Sequence, residues 1–212
     1  MAERPVFFPK FNSIGVETHT FGFVWSPGLA PSQKKKNVTA LHAAIMKRLP
    51  DCRPLEISRR SLVDEGIRLS AFNLSLPLDG KPCSVESVFQ ASKVFESSGP
   101  YPELYPHPPK EVRSFVRENA SGPLTAFDLN GTRWGLRPTT AFYDWVYLQA
   151  LAANQDLANA LASFDCFTDI EFNPDKSLNC QAYAAALYRS LAHAGKLDEA
   201  LSGKDAFLQF HP

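Results

Sequence analysis

The sequence predicts an α+β fold, a predominantly helical single domain with a few short strands. Three observations support that expectation. Apolar residues recur at helical spacing over long stretches, while period-two alternation is confined to short ones. The 212 residues are many for one domain and few for two, and they suffice to bury a core without disulfide or metal staples. The 17 prolines and 12% aromatic content point to ordered, proline-punctuated connections rather than a bundle with tight loops.

The elements follow in order. Residues 16–25 (VETHTFGFVW) place Phe21, Phe23 and Trp25 on one face of a half-buried strand. Ser26-Pro27-Gly28 turns the chain, and Pro31 and Ser32 open a helix to about Arg48 with Val38, Leu41 and Ile45 as its apolar stripe. Residues 54–58 (PLEIS) and 69–78 (LSAFNLSLPL) read as strands, with Asp79-Gly80 as a turn. A helix is expected over 84–97. The stretch YPELYPHPP that follows is too constrained for a floppy linker and is expected as an ordered loop, with another helix starting near Pro109. Past the Gly122-Pro123 break, Asn130-Gly131 marks a hairpin-like turn. Residues 142–163 read as helix interrupted near Asn154, 164–177 as a loop and 178–194 as the last major helix. No internal repeat or low-complexity tail interrupts the pattern.

Charge and composition narrow the function classes. The 22 acids and 22 bases cancel, so any nucleic-acid contact must come from a local basic patch. The densest basic run is Lys34–Lys36, in the first turns of the expected helix, where the macrodipole disfavours cations. It reads either as a solvated face or as a contact to a phosphate backbone. No apolar run approaches a membrane span, and MAERPVFFPKF lacks a signal-peptide core. Cys52, Cys83, Cys166 and Cys180 are scattered without CxxC spacing, which suggests free thiols and no metal site. No cofactor is implied. A cytoplasmic protein is expected.

The strongest chemical signal lies in SVESVFQASKVF, residues 84–95. Ser84 is a natural N-cap, and Val85, Val88, Ala91/Ser92 and Phe95 form a core stripe. A second stripe holds Glu86, Phe89, Gln90 and Lys93. At about 100° per residue, Glu86 and Lys93 fall two turns apart with Gln90 between them. A spacing of seven is too long for a simple i,i+4 ion pair. The stripe is either a solvated face or one wall of a site, in which burial would lower the Lys93 pKa and free its amine as a nucleophile.

On these residues the chain resembles the NADAR family, proteins associated with NAD and ADP-ribose metabolism. LSAFNLSLPLDGKPCSVESVFQASKVF resembles that family's opening motif, with Ser70, Phe72, Glu86, Phe89, Gln90 and Lys93 matching and Ala71 and Asn73 departing. FTDIEFNPDKSLNCQAYAAALYRSL resembles its closing motif, with Asp169 and Asn179 in the matching places and Phe172-Asn173 where Trp-Gly is usual. Trp134 stands where the family carries a tryptophan between the two. The whole chain is similar to the branch of NADAR antitoxins associated with DarT-type toxins, in MAERPVFFP, WSPG, QKKKNVTALHAA and TAFYDWVY among other segments. The resemblance implies residues 51–212 as a NADAR-like catalytic domain and 1–50 as an N-terminal extension, a strand plus a helix, packed on it.

It also implies an activity. Such toxins attach ADP-ribose to guanine bases in DNA, and an antitoxin of this branch would hydrolyse that N-glycosidic bond. The partners implied are ADP-ribosylated DNA or RNA, ADP-ribose itself, and a DarT-type toxin. Cleavage at ribose C1 develops oxocarbenium-like charge, which calls for a carboxylate and a nucleophile nearby. The resemblance suggests Lys93 as the covalent participant, through a Schiff base, with Glu86 and Asp169 binding the ribose diol and moving protons in roles left open. Ser70, Phe72, Asn73, Phe89, Gln90, Arg113, Trp134, Asn173 and Asn179 would bind substrate, the aromatics by stacking and Arg113 by meeting the diphosphate. Three rivals stand beside this: N-glycosidase action on a phosphorylated riboflavin-pathway intermediate, neutralisation of a toxin by stoichiometric binding, and reading of ADP-ribose or a nucleotide without turnover.

Overall fold

The computed structural model describes residues 1–173 and 177–211, and shows an α+β protein. Residues 174–176 of the expected 164–177 connection lie outside the described residues. The chain divides into two compact units. One holds residues 1–70 and 155–198, the other residues 71–154 and the chain from 199 onward.

The first unit is built on a four-stranded sheet. β1 (Ala2–Pro9) pairs antiparallel with β2 (Val16–Phe23) from Ala2 opposite Phe23 to Pro9 opposite Val16. β9 (Cys166–Thr168) lies between β1 and β3 (Pro54–Glu56), antiparallel to the first and parallel to the second. α1 (Pro31–Arg48) lays Val38, Leu41 and Ile45 against Phe21, Phe23, Val6, Cys166 and Ile170. Burying each such aliphatic side chain contributes roughly 1.5–3 kcal/mol. The first fifty residues thus share a core with residues far along the chain. α7 (Gln181–His193) packs on β1 and β9, with Tyr183 edge-on to Phe7 at 5.8 Å. Short α2 (Asp64–Arg68) and α6 (Gln155–Ala160) are joined by an exposed ion pair, Arg68 with Asp156.

In the second unit, β4 (Ser75–Leu78) and β5 (Lys81–Ser84) form a hairpin. Its turn is the expected Asp79-Gly80, both residues at positive φ, 49° and 75°, as a two-residue turn with the twist of a hairpin demands. α3 (Val85–Ala91) follows directly. β6 (Lys93–Phe95), β7 (Leu124–Leu129) and β8 (Thr132–Trp134) make an antiparallel sheet whose β7–β8 turn is Asn130-Gly131. α4 (Pro109–Asn119) packs on α3, and α5 (Ala141–Ala152) is buried nearly all round. The expected break near Asn154 is real: its amide donates to the carbonyls of Ala150 and Ser75, both at 2.7 Å. α8 (Leu197–Leu201) and α9 (Lys204–Phe210) end the chain. An aromatic core of Phe89, Phe127, Phe142, Trp134 and Phe207 fills this unit, with Phe127 and Phe142 stacked at 4.7 Å.

Three expectations are corrected. The 84–97 helix stops at Ala91, and Lys93 lies on a strand. The Ala91 carbonyl, which a longer helix would have bonded to Phe95, instead accepts from Tyr101 N–H at 2.7 Å, and the Ser92 carbonyl accepts from Asp128 N–H at 2.8 Å. Tertiary pairing with β7 outweighs the helical pattern of a Lys-Val-Phe segment that itself favours strand. Residues 69–74 are turns rather than strand, so Ser70, Phe72 and Asn73 stand before β4 and not on it. The last major helix begins at Gln181, leaving Asn179 outside it, with Cys180 at the N-cap position. Strands β1 and β9 and helices α2, α8 and α9 are additions to the elements read from the sequence.

Candidate functional site

Two clusters, one in each unit, gather the chemically active side chains. In the second unit the centre is Glu86, at the start of α3, where Ser84 caps the helix by accepting from Ser87 N–H at 3.1 Å. The Gln90 amide donates to Glu86 Oε1 at 3.0 Å and its oxygen accepts from Lys93 Nζ at 2.6 Å. The amide therefore turns its N–H toward the carboxylate and its oxygen toward the amine, the only orientation in which both contacts are attractive. Arg113 Nε, on α4, lies 3.6 Å from Glu86 Oε1. Lys93 Nζ also sits 5.2 Å over the Phe89 ring, which is itself held by Phe127 and Tyr143. Glu86, Phe89, Gln90, Lys93 and Arg113 are thus brought together.

Burial pushes the Lys93 pKa below the usual lysine value; Glu86 opposes this by favouring the charged amine, and Arg113 adds to the lowering. The backbone at Lys93 is tightly enclosed as well. Gly99, at φ +75°, passes so close that a Cβ there would stand 2.2 Å from the Lys93 carbonyl oxygen.

The first unit holds a sealed carboxyl pair. Asp169 follows β9; its Oδ1 accepts from Glu171 N–H at 3.0 Å and Phe172 N–H at 3.2 Å, and its Oδ2 from Gln181 Nε2 at 2.9 Å. Gln181 Nε2 also donates to the Ile57 carbonyl at 2.6 Å. Glu56, on β3, is 1% exposed. It accepts from Ser58 Oγ at 2.6 Å, Thr168 Oγ1 at 2.7 Å and Ile170 N–H at 2.9 Å, so it holds the residues on both sides of Asp169. Burial pushes both carboxyls well above the usual carboxylate range, and the charge of Asp169 raises Glu56 further. His42, 3.0 Å from Thr168 Oγ1, is lowered by burial to about 4 and stays neutral at pH 7.

Glu56, Thr168, His42 and Gln181 escape the sequence reading. The signal for Glu56 was available: in PLEIS a charged residue stands between Leu55 and Ile57 on a short strand.

The remaining expected residues differ in burial. Ser70 is buried, Phe72 half-buried and Asn73 exposed. Asn173 and Asn179 are half-buried in the segments flanking residues 174–176. Trp134 is 1% exposed, enclosed by Phe142, Trp145 and Phe207. A ring so enclosed presents no face for stacking on a base, so its place in the structure is in packing. Among the described residues no His, Cys, Asp and Glu converge as metal ligands, and no helix is long and apolar enough to cross a membrane.

A search of curated proteins finds no match. The family model described as DarT1-associated NADAR antitoxin matches residues 2–212. With the Glu86–Gln90–Lys93 chain in place and the match spanning almost every residue, the chain belongs to the DarT1-associated NADAR antitoxins.

Proposed function

We propose that this antitoxin is a hydrolase that removes ADP-ribose from guanine bases in DNA, acting in the cytoplasm against a DarT-type toxin. The observation that carries the reading is the Lys93 amine, half-buried, lowered in pKa and hydrogen-bonded in line with Gln90 and Glu86. A lysine amine acts as a nucleophile only in its neutral form, and burial supplies more of that form near neutral pH.

In the proposed reaction the Lys93 nitrogen attacks ribose C1, and the bond from C1 to the guanine nitrogen breaks with its electron pair leaving on the base. Guanine takes up a proton. The attached amine gives up a proton, and the C1–O4 bond then breaks with its electron pair on the ring oxygen, which takes that proton to become a hydroxyl and leaves a protonated Schiff base at C1. Water adds to that carbon, and collapse of the adduct returns the amine and releases ADP-ribose. Glu86 is proposed to hold the ribose hydroxyls and move protons, while Asp169, whose oxygens are taken by Glu171, Phe172 and Gln181, is proposed to hold its own loop in shape. Arg113 is assigned to the diphosphate and Phe89 to the floor beneath Lys93.

Incubation with guanosine-ADP-ribosylated DNA tests the activity, with free ADP-ribose as the readout. Borohydride added during turnover should leave a ribose adduct on intact protein, located to Lys93 by peptide mass. Turnover without an adduct would shift the chemistry to the carboxylates. Protection of cells by a Lys93→Ala variant would replace the hydrolase with a stoichiometric inhibitor.

A further inference from the structure

Helix α1 carries a charge pattern that the proposed chemistry does not use. Pro31–Arg48 contains Lys34, Lys35, Lys36, Lys47 and Arg48 and no acid, in a chain whose formal charge is zero. Lys36 and Lys47 are eleven residues apart, about three full turns, so they point from one face roughly 16 Å from each other. Between them the same face carries the short, exposed Thr39 and Ala43, while Val38, Leu41 and Ile45 on the opposite face enter the core. The stripe is therefore flat, solvent-facing and cationic at both ends.

Neither a first-turn acid nor a capping side chain at Ala30 offsets the three lysines near the start of the helix, so their charge is left to an external anion. At the N-terminal end of the helix, on the side of Lys34 rather than of Lys36, stands half-buried Trp25, with Arg4 Cζ 5.2 Å and Lys34 Nζ 5.5 Å from its ring centroid. At the other end Arg48 lies over Phe21. On neighbouring β2 the acid Glu17 is engaged by His19 at 2.8 Å.

We infer that α1, with Arg4 and Trp25, docks the phosphate backbone of single-stranded DNA, the strand that bears the modified base. The substrate part of this inference rests on the proposed hydrolase activity. Single-stranded DNA fits better than duplex because a glycosidic bond inside the stack is out of reach until the base is extruded, and because an aromatic among cations suits splayed strands.

Fluorescence anisotropy with a short, unmodified oligothymidine tests docking without reference to catalysis. Wild-type binding should weaken steeply with salt. Changing Lys34, Lys35 and Lys36 together to Ser should weaken it at least about tenfold and reduce the log–log salt slope by about 2, near 0.7 for each lost phosphate contact. A separate Lys47→Ser, Arg48→Ser variant should reduce the slope by about 1.4. In parallel, cleavage of ADP-ribosylated oligonucleotide should fall while cleavage of ADP-ribosyl-guanosine nucleoside stays at the wild-type rate. Unchanged oligonucleotide binding in a variant with a native circular-dichroism spectrum overturns the inference. So does duplex binding more tightly than single strand, or polyglutamate competing as well as the oligonucleotide. Failure of the wild type to cleave either substrate would defeat the hydrolase reading, while the anisotropy arm would still decide the docking.

Discussion

The amine cluster around Lys93 and the carboxyl cluster around Glu56 and Asp169 treat burial in opposite ways. Glu56 is sealed, and three donors satisfy it while it competes with Asp169 for negative charge. Lys93 is half-buried, and an amide relays it to a carboxylate that is itself shared with Arg113. Burial discourages charge in both, but it makes an acid hold its proton more tightly in one and an amine hold its proton less tightly in the other. Each also has a backbone carbonyl that a glycine closely approaches: Gly99 at Lys93, Gly66 at Glu56. The lesson is that desolvation prepares opposite chemistry from acids and bases with no change of strategy.

The largest effect that can break the comparison is on turnover. Lys93→Ala should lower ADP-ribose release by at least about a thousandfold while leaving the melting temperature nearly unchanged, because the amine is proposed to form the bond rather than hold the fold. Undiminished release would remove Lys93 from the chemistry.

Backbone crowding comes next. Gly66→Ala would bring a Cβ to 2.1 Å from the Glu56 carbonyl oxygen, and Gly99→Ala one to 2.2 Å from that of Lys93 at a φ of +75°. Overpacking of this kind costs roughly 1–3 kcal/mol or more, read by urea denaturation. Gly99→Ala should in addition reduce turnover of the folded fraction, because the carbonyl that must move belongs to the proposed nucleophile. Equal specific activity in the folded fraction would show that the amine tolerates the shift.

Stability against pH separates the clusters further. Glu56 and Asp169 have folded pKa values raised above their unfolded ones, so the native state binds more protons. Their contribution is fully present below the ordinary carboxylate range, about pH 4, and is lost as pH rises through the folded values. Glu56→Gln should flatten that decline, as measured by denaturation midpoints from pH 5 to 8. A decline as steep as the wild type's would mean that other groups cause it. His42 works in the other direction: its lowered pKa makes stability fall as pH drops from about 6.5 toward 4.

The smallest effect is a shift of the rate profile. The rising limb of kcat against pH should lie below the ordinary lysine value of about 10.4, since the neutral amine reacts. Arg113→Ala removes a cation that lowers the Lys93 pKa and should move the limb to higher pH. Glu86→Gln removes the charge that opposes the lowering and should move it lower in whatever activity survives. Shifts in the opposite sense would show that Lys93 does not set the limb.

The two regions were not equally legible in the sequence. The Asp79-Gly80 and Asn130-Gly131 turns, the Pro31 helix start and the Asn154 break all have local causes, and local chemistry is what a sequence displays. The trio Glu86, Gln90 and Lys93 was legible as a set because the three lie close in the chain. Its geometry was not, because the helix ends at Ala91 through bonds to Tyr101 and Asp128, residues whose approach no nearby pattern announces. Glu56 and Asp169 are brought together by parallel pairing of β3 with β9 across more than a hundred residues. Strands of three residues leave almost no periodic trace, so the partnership stayed hidden although each acid was in plain view.

The switch from helix to strand at Ser92 makes the site sensitive to chain length in an all-or-none way. On a helix, one extra residue upstream of Lys93 would rotate the amine by about 100° and advance it ~1.5 Å. On β6, opposite Phe127, the same insertion turns the side chain to the other face of the sheet. Point substitutions can therefore tune the amine by degrees, whereas insertions and deletions between Glu86 and Lys93 switch it off. Length variation in a lineage that keeps this site should collect instead in exposed turns such as Asn130-Gly131, where an added residue leaves the facing of Lys93 untouched.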